Sequence, residues 1–260
     1  MGALAMLAKK LFPRFMRKVS AGTVLAVLLC ITPRAHAFKL VPITMEFEPA
    51  GRGASQSFRL ENDSDEQIAI QISILSREMD IRGRETNRPA SADFIVYPEQ
   101  ILLKPKKAQT VRVKWVGNPK PEKELAYRIL AEQLPVNLTS EKSGQNKIRV
   151  MVRYLGSIYI VPKGARSDVV VEGAAATMDP AGREALQLTI HNKGAAHTIL
   201  RDLTLRLTAQ GKTTELSARE LAGIAGENIL AGTKRVFLLR WPEALPKGDV
   251  EVTLDFYRPR

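Results

Sequence analysis

The chain has 260 residues, of which 45% are hydrophobic and 25% charged, with a formal net charge of +12. This is the composition of a folded globular protein rather than a largely disordered one, and the length suits one or two domains. No basic cluster is interleaved with aromatic side chains, which argues against nucleic-acid binding.

The first segment has the composition of an export signal. Residues 1–18 carry basic residues and no acid, and an apolar run, VSAGTVLAVLLCI, follows them. The run ends at TPRAHA, where Ala35 and Ala37 have the small-residue spacing of a cleavage site. We therefore expect residues 1–37 to be a signal peptide, cleaved after Ala37, with no stable membrane insertion afterwards. An N-terminal membrane anchor is the alternative, which the shortness of the apolar run disfavours.

Cleavage would change the charge and the cysteine content. Six of the 39 basic residues lie in residues 1–37 with no acid, which leaves 33 basic against 27 acidic residues, a net charge of +6. The single cysteine, Cys30, would also be removed. An exported chain without disulfides must depend on its hydrophobic core for stability.

Nearly every periodic segment after residue 38 alternates with a period of two, which is typical of half-buried β-strands. In chain order the clearest are QIAIQISIL, TVRVKWV, ALQLTIHN and DVEVTLDFY. Turn sequences such as ENDSDE, GNPKPEKE and MDPAGRE lie between strands. Many short strands at regular spacing predict an all-β chain of antiparallel sandwiches.

A domain boundary is predicted at the stretch VPKGARSD. Pro162 ends a long strand there, and a new apolar strand begins at Val169. We expect one sandwich over residues 38–162 and a second over residues 163–260, both of normal domain size.

The sequence lacks the motifs that support catalysis. After residue 37 the histidines are His191 and His197, and no cysteine or acidic cluster joins them as a metal site requires. A G-x-S-x-G motif, a P-loop and a dinucleotide fingerprint are all missing. We therefore expect no catalytic residue, no metal and no cofactor. A secreted β-sandwich enzyme remains an alternative.

The stretch NKIRVMVRYLGSIYIVP indicates binding instead. Every even position from Ile148 to Ile160 is apolar, aromatic or glycine, and the alternating run is about twice the length of a typical strand. An edge strand has unpaired N–H and C=O groups. If one of its faces is also apolar, it can join the sheet of another protein by β-augmentation.

Four stretches carry a family resemblance: FRLENDSDEQIAIQI, DFIVYPEQILLKPKKAQTVRVKW, ELAYRILAEQLPV and IRVMVRYLGSIYIVPKG. In order and spacing they resemble the PapD-like periplasmic chaperones of the chaperone–usher pathway, which assemble pili and fimbriae in Gram-negative bacteria. The resemblance implies two immunoglobulin-like β-sandwich domains set at an angle. It also implies a periplasmic location, with pilus or fimbrial subunits and an outer-membrane usher as partners.

The resemblance implies donor-strand complementation, in which the chaperone lends the last strand of its first domain to an incomplete subunit and delivers that subunit to the usher. Counting back from Pro162, the lent side chains would be Ile148, Val150 and Val152, with Tyr154 as a fourth. The alternative for each is a strand that faces the core of its own domain.

The family also binds the C-terminal carboxylate of the subunit with two basic residues in its cleft. Here the expected positions fall on or near Thr44 and on Ser157, neither of which is basic, so the resemblance implies a divergent branch. The nearest substitutes are Arg128, Arg153 and Lys39. We favour an arginine because a guanidinium binds a carboxylate in a bidentate fork. The alternative role of each is a solvated strand face.

A pilus subunit or adhesin is the remaining alternative function. Such a protein would have one incomplete domain preceded by a free extension. This sequence instead predicts two complete sandwiches, which favours the chaperone.

Overall fold

A computed structural model describes residues 38–135 and 151–257. The regular elements of this part of the chain are β-strands and two short 3-10 helices, Arg52–Ala54 and Ser91–Asp93. None of its helices is long and apolar enough to cross a membrane. The predicted all-β class is therefore confirmed.

The first sandwich is built from eleven strands. A four-stranded sheet in the order β1-β3-β9-β7 packs against a five-stranded sheet in the order β2-β11-β10-β4-β8, and β5 and β6 form a small separate hairpin. The strands are β1 (Phe38–Val41), β2 (Thr44–Phe47), β3 (Ser55–Asn62), β4 (Ile68–Ser76), β5 (Glu78–Met79), β6 (Glu85–Thr86), β7 (Phe94–Tyr97), β8 (Gln100–Leu103), β9 (Ala108–Trp115), β10 (Leu125–Gln133) and β11 (Arg153–Ile160).

The core of this sandwich follows the alternation seen in the sequence. Ile68, Ile70, Ile72 and Ile74 of β4 are all buried, as the period-two pattern predicts. Burying each such side chain contributes about 1.5–3 kcal/mol. Near one end of the core, Phe94 makes edge-to-face ring contacts with aromatic side chains of three other strands. The strong aliphatic rows and this aromatic cluster fix which face of each strand lies inside.

The second sandwich has eight strands. Its sheets have the orders β12-β13-β18, β16-β15-β19 and β14-β17. The strands are β12 (Val169–Met178), β13 (Glu184–Asn192), β14 (Thr198–Ile199), β15 (Arg201–Ala209), β16 (Lys212–Leu216), β17 (Asn228–Ile229), β18 (Lys234–Arg240) and β19 (Glu251–Tyr257).

The two sandwiches have separate hydrophobic cores. The last buried residue of the first core is Ile160, and the second core begins at Val169. The two-sandwich prediction is confirmed in this respect. The predicted boundary between residues 162 and 163 falls in the interval between the cores and stays a prediction at that precision.

A buried asparagine closes an equivalent turn in each sandwich. The Asn62 amide Nδ2 donates to three main-chain carbonyls, those of Glu66, Leu103 and Lys104. The Asn192 amide also donates to three carbonyls, while its Oδ1 accepts from the main-chain N–H groups of Asp168 and Gly194. A buried amide is tolerated because its polar atoms are paired. Each asparagine thereby ties the end of one strand to neighbouring loops.

Candidate functional site

The strand β11 is the last strand of the first sandwich, and half of one of its edges is unpaired in the described part of the chain. Its inner edge pairs antiparallel with β10 along its whole length. On the other edge, Ser157–Ile160 pair in parallel with Thr44–Phe47 of β2. Among the residues that the structure describes, no strand pairs with Arg153–Gly156 on this second edge.

The open half of β11 presents main-chain groups outward. The Ser157 N–H donates to the Ile43 carbonyl at 2.8 Å, so Ser157 directs its main-chain polar groups towards the β2 side. Because these groups alternate along a strand, Arg153 and Leu155 direct theirs to the same side. Beyond the end of β2 these groups lie at an unpaired sheet edge, the kind of edge to which a further strand can be added.

The structure describes two of the four proposed donor side chains. Val152 and Tyr154 lie on the inner face of the first sandwich and are partly buried against its core. The Tyr154 ring packs edge-to-face on Phe38, with ring centroids 5.0 Å apart. Ile148 and Val150 lie outside the described residues. Donation of all four therefore stays a prediction, and the two that are described contact the core of their own domain.

The outer face of the same sheet carries an apolar position beside a row of polar ones. Leu155, which is 43% exposed, lies opposite the buried Leu130 of β10. In the next row towards the second sandwich, Thr44, Ser157 and Arg128 are neighbours across β2, β11 and β10. The two positions where the resemblance implied basic residues thus adjoin each other, and an arginine lies beside them.

Arg128 is one of two arginines that converge on a single carboxylate. Arg128 on β10 and Arg77, directly after β4, both contact Glu85 of β6. The distance from Arg77 Nη2 to Glu85 Oε1 is 2.6 Å. Arg128 Nε donates to Glu85 Oε2 at 3.0 Å, and its Nη2 donates to Oε1. The arginine side chains are only 14% and 6% exposed for Arg128 and Arg77, so the pair is largely shielded from water.

The third nitrogen of each guanidinium group donates to a hydroxyl of β11. Arg128 Nη1 donates to Ser157 Oγ at 2.6 Å, and Arg77 Nη1 donates to Tyr159 Oη at 2.8 Å. Tyr159 Oη also accepts from Asn228 Nδ2 of the second sandwich at 2.8 Å. The arginine pair therefore lies where the two sandwiches meet.

A histidine–glutamate contact adjoins this pair. The imidazole of His197 stacks on the Tyr159 ring, with centroids 3.7 Å apart and planes 10° apart. Its Nδ1 lies 2.8 Å from each carboxylate oxygen of Glu124, which is buried. His197 thus has a structural place between the sandwiches. Within residues 38–135 and 151–257, no group of three His, Cys, Asp or Glu side chains could hold a metal ion.

The charges of the arginine pair exceed those of its partner. Two guanidinium groups, which stay protonated, face one carboxylate, so the group of three carries one net positive charge. Burial raises the pKa of Glu85, but the hydrogen bond from Arg128 and the charge of Arg77 outweigh burial and lower the pKa below its usual value. The site is therefore suited to binding a carboxylate.

The other two predicted anchors lie in separate ion pairs. Arg153 Nε lies 3.3 Å from Glu132 on the neighbouring strand, and Lys39 on β1 pairs with Asp63 at 2.5 Å. Both side chains are more than half exposed. Of the three candidates, Arg128 is the one that lies beside Ser157.

Sequence reasoning missed Arg77 and Glu85. Arg77 follows an isoleucine-rich strand and Glu85 lies in a polar turn segment, GRETNRP, and neither position has a distinctive local pattern. Only the pairing of β4 with β10 and the folding of the β5–β6 hairpin bring them to Arg128. No periodicity in the sequence could have indicated this.

The comparisons with known proteins agree with this architecture. Residues 46–166 match the family model described as "Pili and flagellar-assembly chaperone, PapD N-terminal domain". No curated protein sequence matches the chain significantly.

Solved structures of pilus chaperones share the fold. One match is a chain of the CsuC–CsuE chaperone–tip adhesion subunit pre-assembly complex, from archaic chaperone-usher Csu pili of Acinetobacter baumannii. Its TM-score is 0.56 at 16% identity, and the match covers 83% of this chain and 97% of that one. The class 5 fimbriae chaperone CfaA matches with a TM-score of 0.52 and 16% identity, over 85% and 100% of the two chains. A chain of the Salmonella enterica SafA pilin–SafB chaperone complex matches with a TM-score of 0.51 and 14% identity. This match covers 80% of this chain and 86% of that one. At these identities the likeness shows the fold. Together with the family-model match, it confirms the resemblance predicted from the sequence: the chain is similar to the PapD-like chaperones, and residues 46–166 match the PapD N-terminal domain.

Proposed function

We propose that the protein is a periplasmic chaperone that binds, folds and caps pilus or fimbrial subunits by donor-strand complementation and delivers them to an outer-membrane usher. The observation that carries the proposal is the open edge of β11 at Arg153–Gly156, which ends next to a buried arginine pair. The export signal predicted in residues 1–37 supports the periplasmic location. The function is one of binding, and no enzyme activity is proposed.

The open edge supplies the first part of the interaction. A subunit strand that pairs with this edge would satisfy the main-chain groups of Arg153 and Leu155, and each apolar side chain buried in the subunit would contribute about 1.5–3 kcal/mol. Ile148, Val150, Val152 and Tyr154 are the proposed lent side chains. Val152 and Tyr154 would leave part of their present packing for the groove of the subunit.

The arginine pair supplies the second part. A subunit strand running along β11 would bring its C-terminal carboxylate to Arg128, which lies beside Ser157. Arg77 would be the second basic group, because its guanidinium contacts the same carboxylate of Glu85. A carboxylate bound by two buried guanidinium groups makes charge-assisted bonds, about twice as strong as neutral ones. Arg128 and Arg77 together would then replace the basic pair that is missing at Thr44 and Ser157.

A charge placed on the donor strand tests the function. We expect Val150→Asp and Val152→Asp to abolish the one-to-one complex with a co-expressed pilus subunit from the same genome, because a buried unpaired carboxylate is strongly unfavourable. The measurement is affinity capture followed by size-exclusion chromatography, with the amount of intact subunit as a second readout.

Met178→Asp is the matched control, because Met178 is a large exposed side chain at the end of β12 in the second sandwich. It should leave the complex intact. Thermal unfolding of each free variant separates loss of binding from loss of folding. A full-strength complex with both donor-strand variants would contradict the proposal, and self-polymerisation of the purified protein would favour a pilus subunit instead.

A further inference from the structure

The carboxylate that occupies the arginine pair belongs to the chain itself. Arg128 binds Glu85 with two parallel donors, one to each carboxylate oxygen. Arg77 adds Nε at 2.8 Å and Nη2 at 2.6 Å, both to Oε1. Glu85 therefore makes the bonds that a carboxylate of any other chain would make there. No second carboxylate bonds to either guanidinium among the residues that the structure describes.

We infer that Glu85 is a resident competitor: it occupies the Arg77–Arg128 pair in the free protein and must leave when the C-terminal carboxylate of a subunit binds. This inference rests on the proposed function, since it concerns regulation of the same site. Exchange of one carboxylate for another keeps one carboxylate bound to the two guanidinium groups throughout. The buried arginine pair is thus never left without a partner, which would be costly.

The segment that carries Glu85 is a short hairpin outside both main sheets of its own sandwich. β5 and β6 pair through only Glu78–Thr86 and Met79–Glu85. A two-stranded hairpin is marginally stable by itself. Neither β5 nor β6 pairs with a strand of either main sheet, so the hairpin can shift while the main-chain contacts of Arg88 and Pro89 with Ser76 and Leu75 hold its base on β4.

The tip of this hairpin is held by the second sandwich. The Val236 N–H of β18 donates to the Ile81 carbonyl at 2.6 Å. Arg235 Nη1 lies 3.0 Å from Met79 Sδ. Gly83 packs so closely on Arg235 that a Cβ at that position would be 2.2 Å from Nη2, and its φ is +82°. Contacts with the second sandwich thus hold the hairpin where Glu85 reaches the arginines.

Competition of this kind lowers the apparent affinity for a ligand. The measured dissociation constant equals the intrinsic constant divided by the fraction of molecules in which the arginine pair is accessible. Removal of the Glu85 charge should therefore strengthen binding of a free carboxylate, on the order of tenfold if the pair is accessible in roughly a tenth of the molecules. The affinity for ligands that lack the carboxylate should not change.

The test uses two peptides with the sequence of the C-terminal strand of the co-expressed pilus subunit, one with a free carboxylate and one with a C-terminal amide. Their affinities for the full chain are measured by calorimetry. Glu85→Gln should bind the free acid roughly tenfold more tightly than the parent protein, with little change for the amide. Glu78→Gln is the matched control, because Glu78 lies on the same hairpin but pairs with the exposed Arg88. It should leave both affinities unchanged.

Gly83→Ala gives a second, independent variant. It disturbs the tip of the hairpin without removing the Glu85 charge, so it should strengthen binding of the free acid by a smaller factor. If both peptides bind but neither variant changes the preference for acid over amide, Glu85 does not compete, and the chaperone function is unaffected. If neither peptide binds any form of the protein, both the competition and the proposed function are contradicted.

Discussion

At the scale of single residues, the arginines Arg77 and Arg128 decide what the site can bind. Buried guanidinium groups stay charged, so each needs an anion close by. Glu85 supplies one charge for the two of them, and the hydroxyls of Ser157 and Tyr159 supply the remaining acceptors. The excess of positive charge favours a carboxylate over an uncharged group at this point.

The lowered pKa of Glu85 predicts a dependence of stability on pH. The carboxyl is easier to ionise in the folded chain than at its ordinary value of 4.5, so its ionised form stabilises the fold. This contribution is complete above the ordinary pKa and is lost as the pH falls through the lowered one. We expect the free energy of unfolding of the parent protein to decrease as the pH falls from the ordinary pKa through the lowered one. The difference in free energy of unfolding between the parent and Glu85→Gln should shrink over the same range.

Denaturant unfolding at a series of pH values from neutral downwards measures this difference. Glu78→Gln serves again as a control because Glu78 has an exposed partner. If the difference in free energy of unfolding between the parent and Glu85→Gln stayed constant throughout the acid range, the Glu85 carboxylate would not be stabilised by the arginines.

The sequence indicated Arg128 but not the group to which it belongs. Arg128 stands in a strand pattern near the position of Ser157, so counting along the family resemblance found it. Arg77 and Glu85 reach it through pairing between strands that are distant in the chain and through a small hairpin. Such convergence depends on the folded arrangement and leaves no local pattern in the sequence.

At the scale of elements, the strand β11 combines a half that β2 covers with a half that no other described strand covers. The chain passes from one sheet to the other between β1 and β2, so β2 covers only Ser157–Ile160. The alternation that predicted a long strand is the same in both halves. Periodicity therefore identified the inner face, but it could not tell where the neighbouring strand ends and the open edge begins.

Gly156 lies where the open half of β11 meets the covered half, and the space around it is tight. A Cβ there would lie 2.8 Å from Ile129 Cγ2 and 2.9 Å from the Ile43 carbonyl oxygen. We expect Gly156→Ala to lower the free energy of unfolding by about 1–3 kcal/mol, as overpacking of a tight site does. Urea unfolding measures the change.

Gly173→Ala is the matched control for this substitution. Gly173 also lies in a strand, β12, but a Cβ there would meet no atom within 4 Å. Its stability should be unchanged or slightly higher, because alanine restricts the unfolded chain. Equal effects of the two substitutions would mean that the contacts around Gly156 are looser than described.

At the scale of the whole molecule, two sandwiches with separate cores meet at a polar cluster. Tyr159 connects Arg77 of the first sandwich with Asn228 of the second, and His197 stacks on its ring. The two sandwiches could be predicted because period-two alternation and turns are local features. The polar cluster could not, since it depends on how two independently patterned domains meet.

Amide hydrogen exchange with and without a bound pilus subunit tests most directly whether a subunit strand adds to the open edge of β11. The N–H groups of Arg153 and Leu155 should become strongly protected in the complex, whereas Gly156, whose main-chain groups face β10, should change little. Protection of Arg153 and Leu155 that is the same in the free and bound protein, with new protection only elsewhere, would contradict the account.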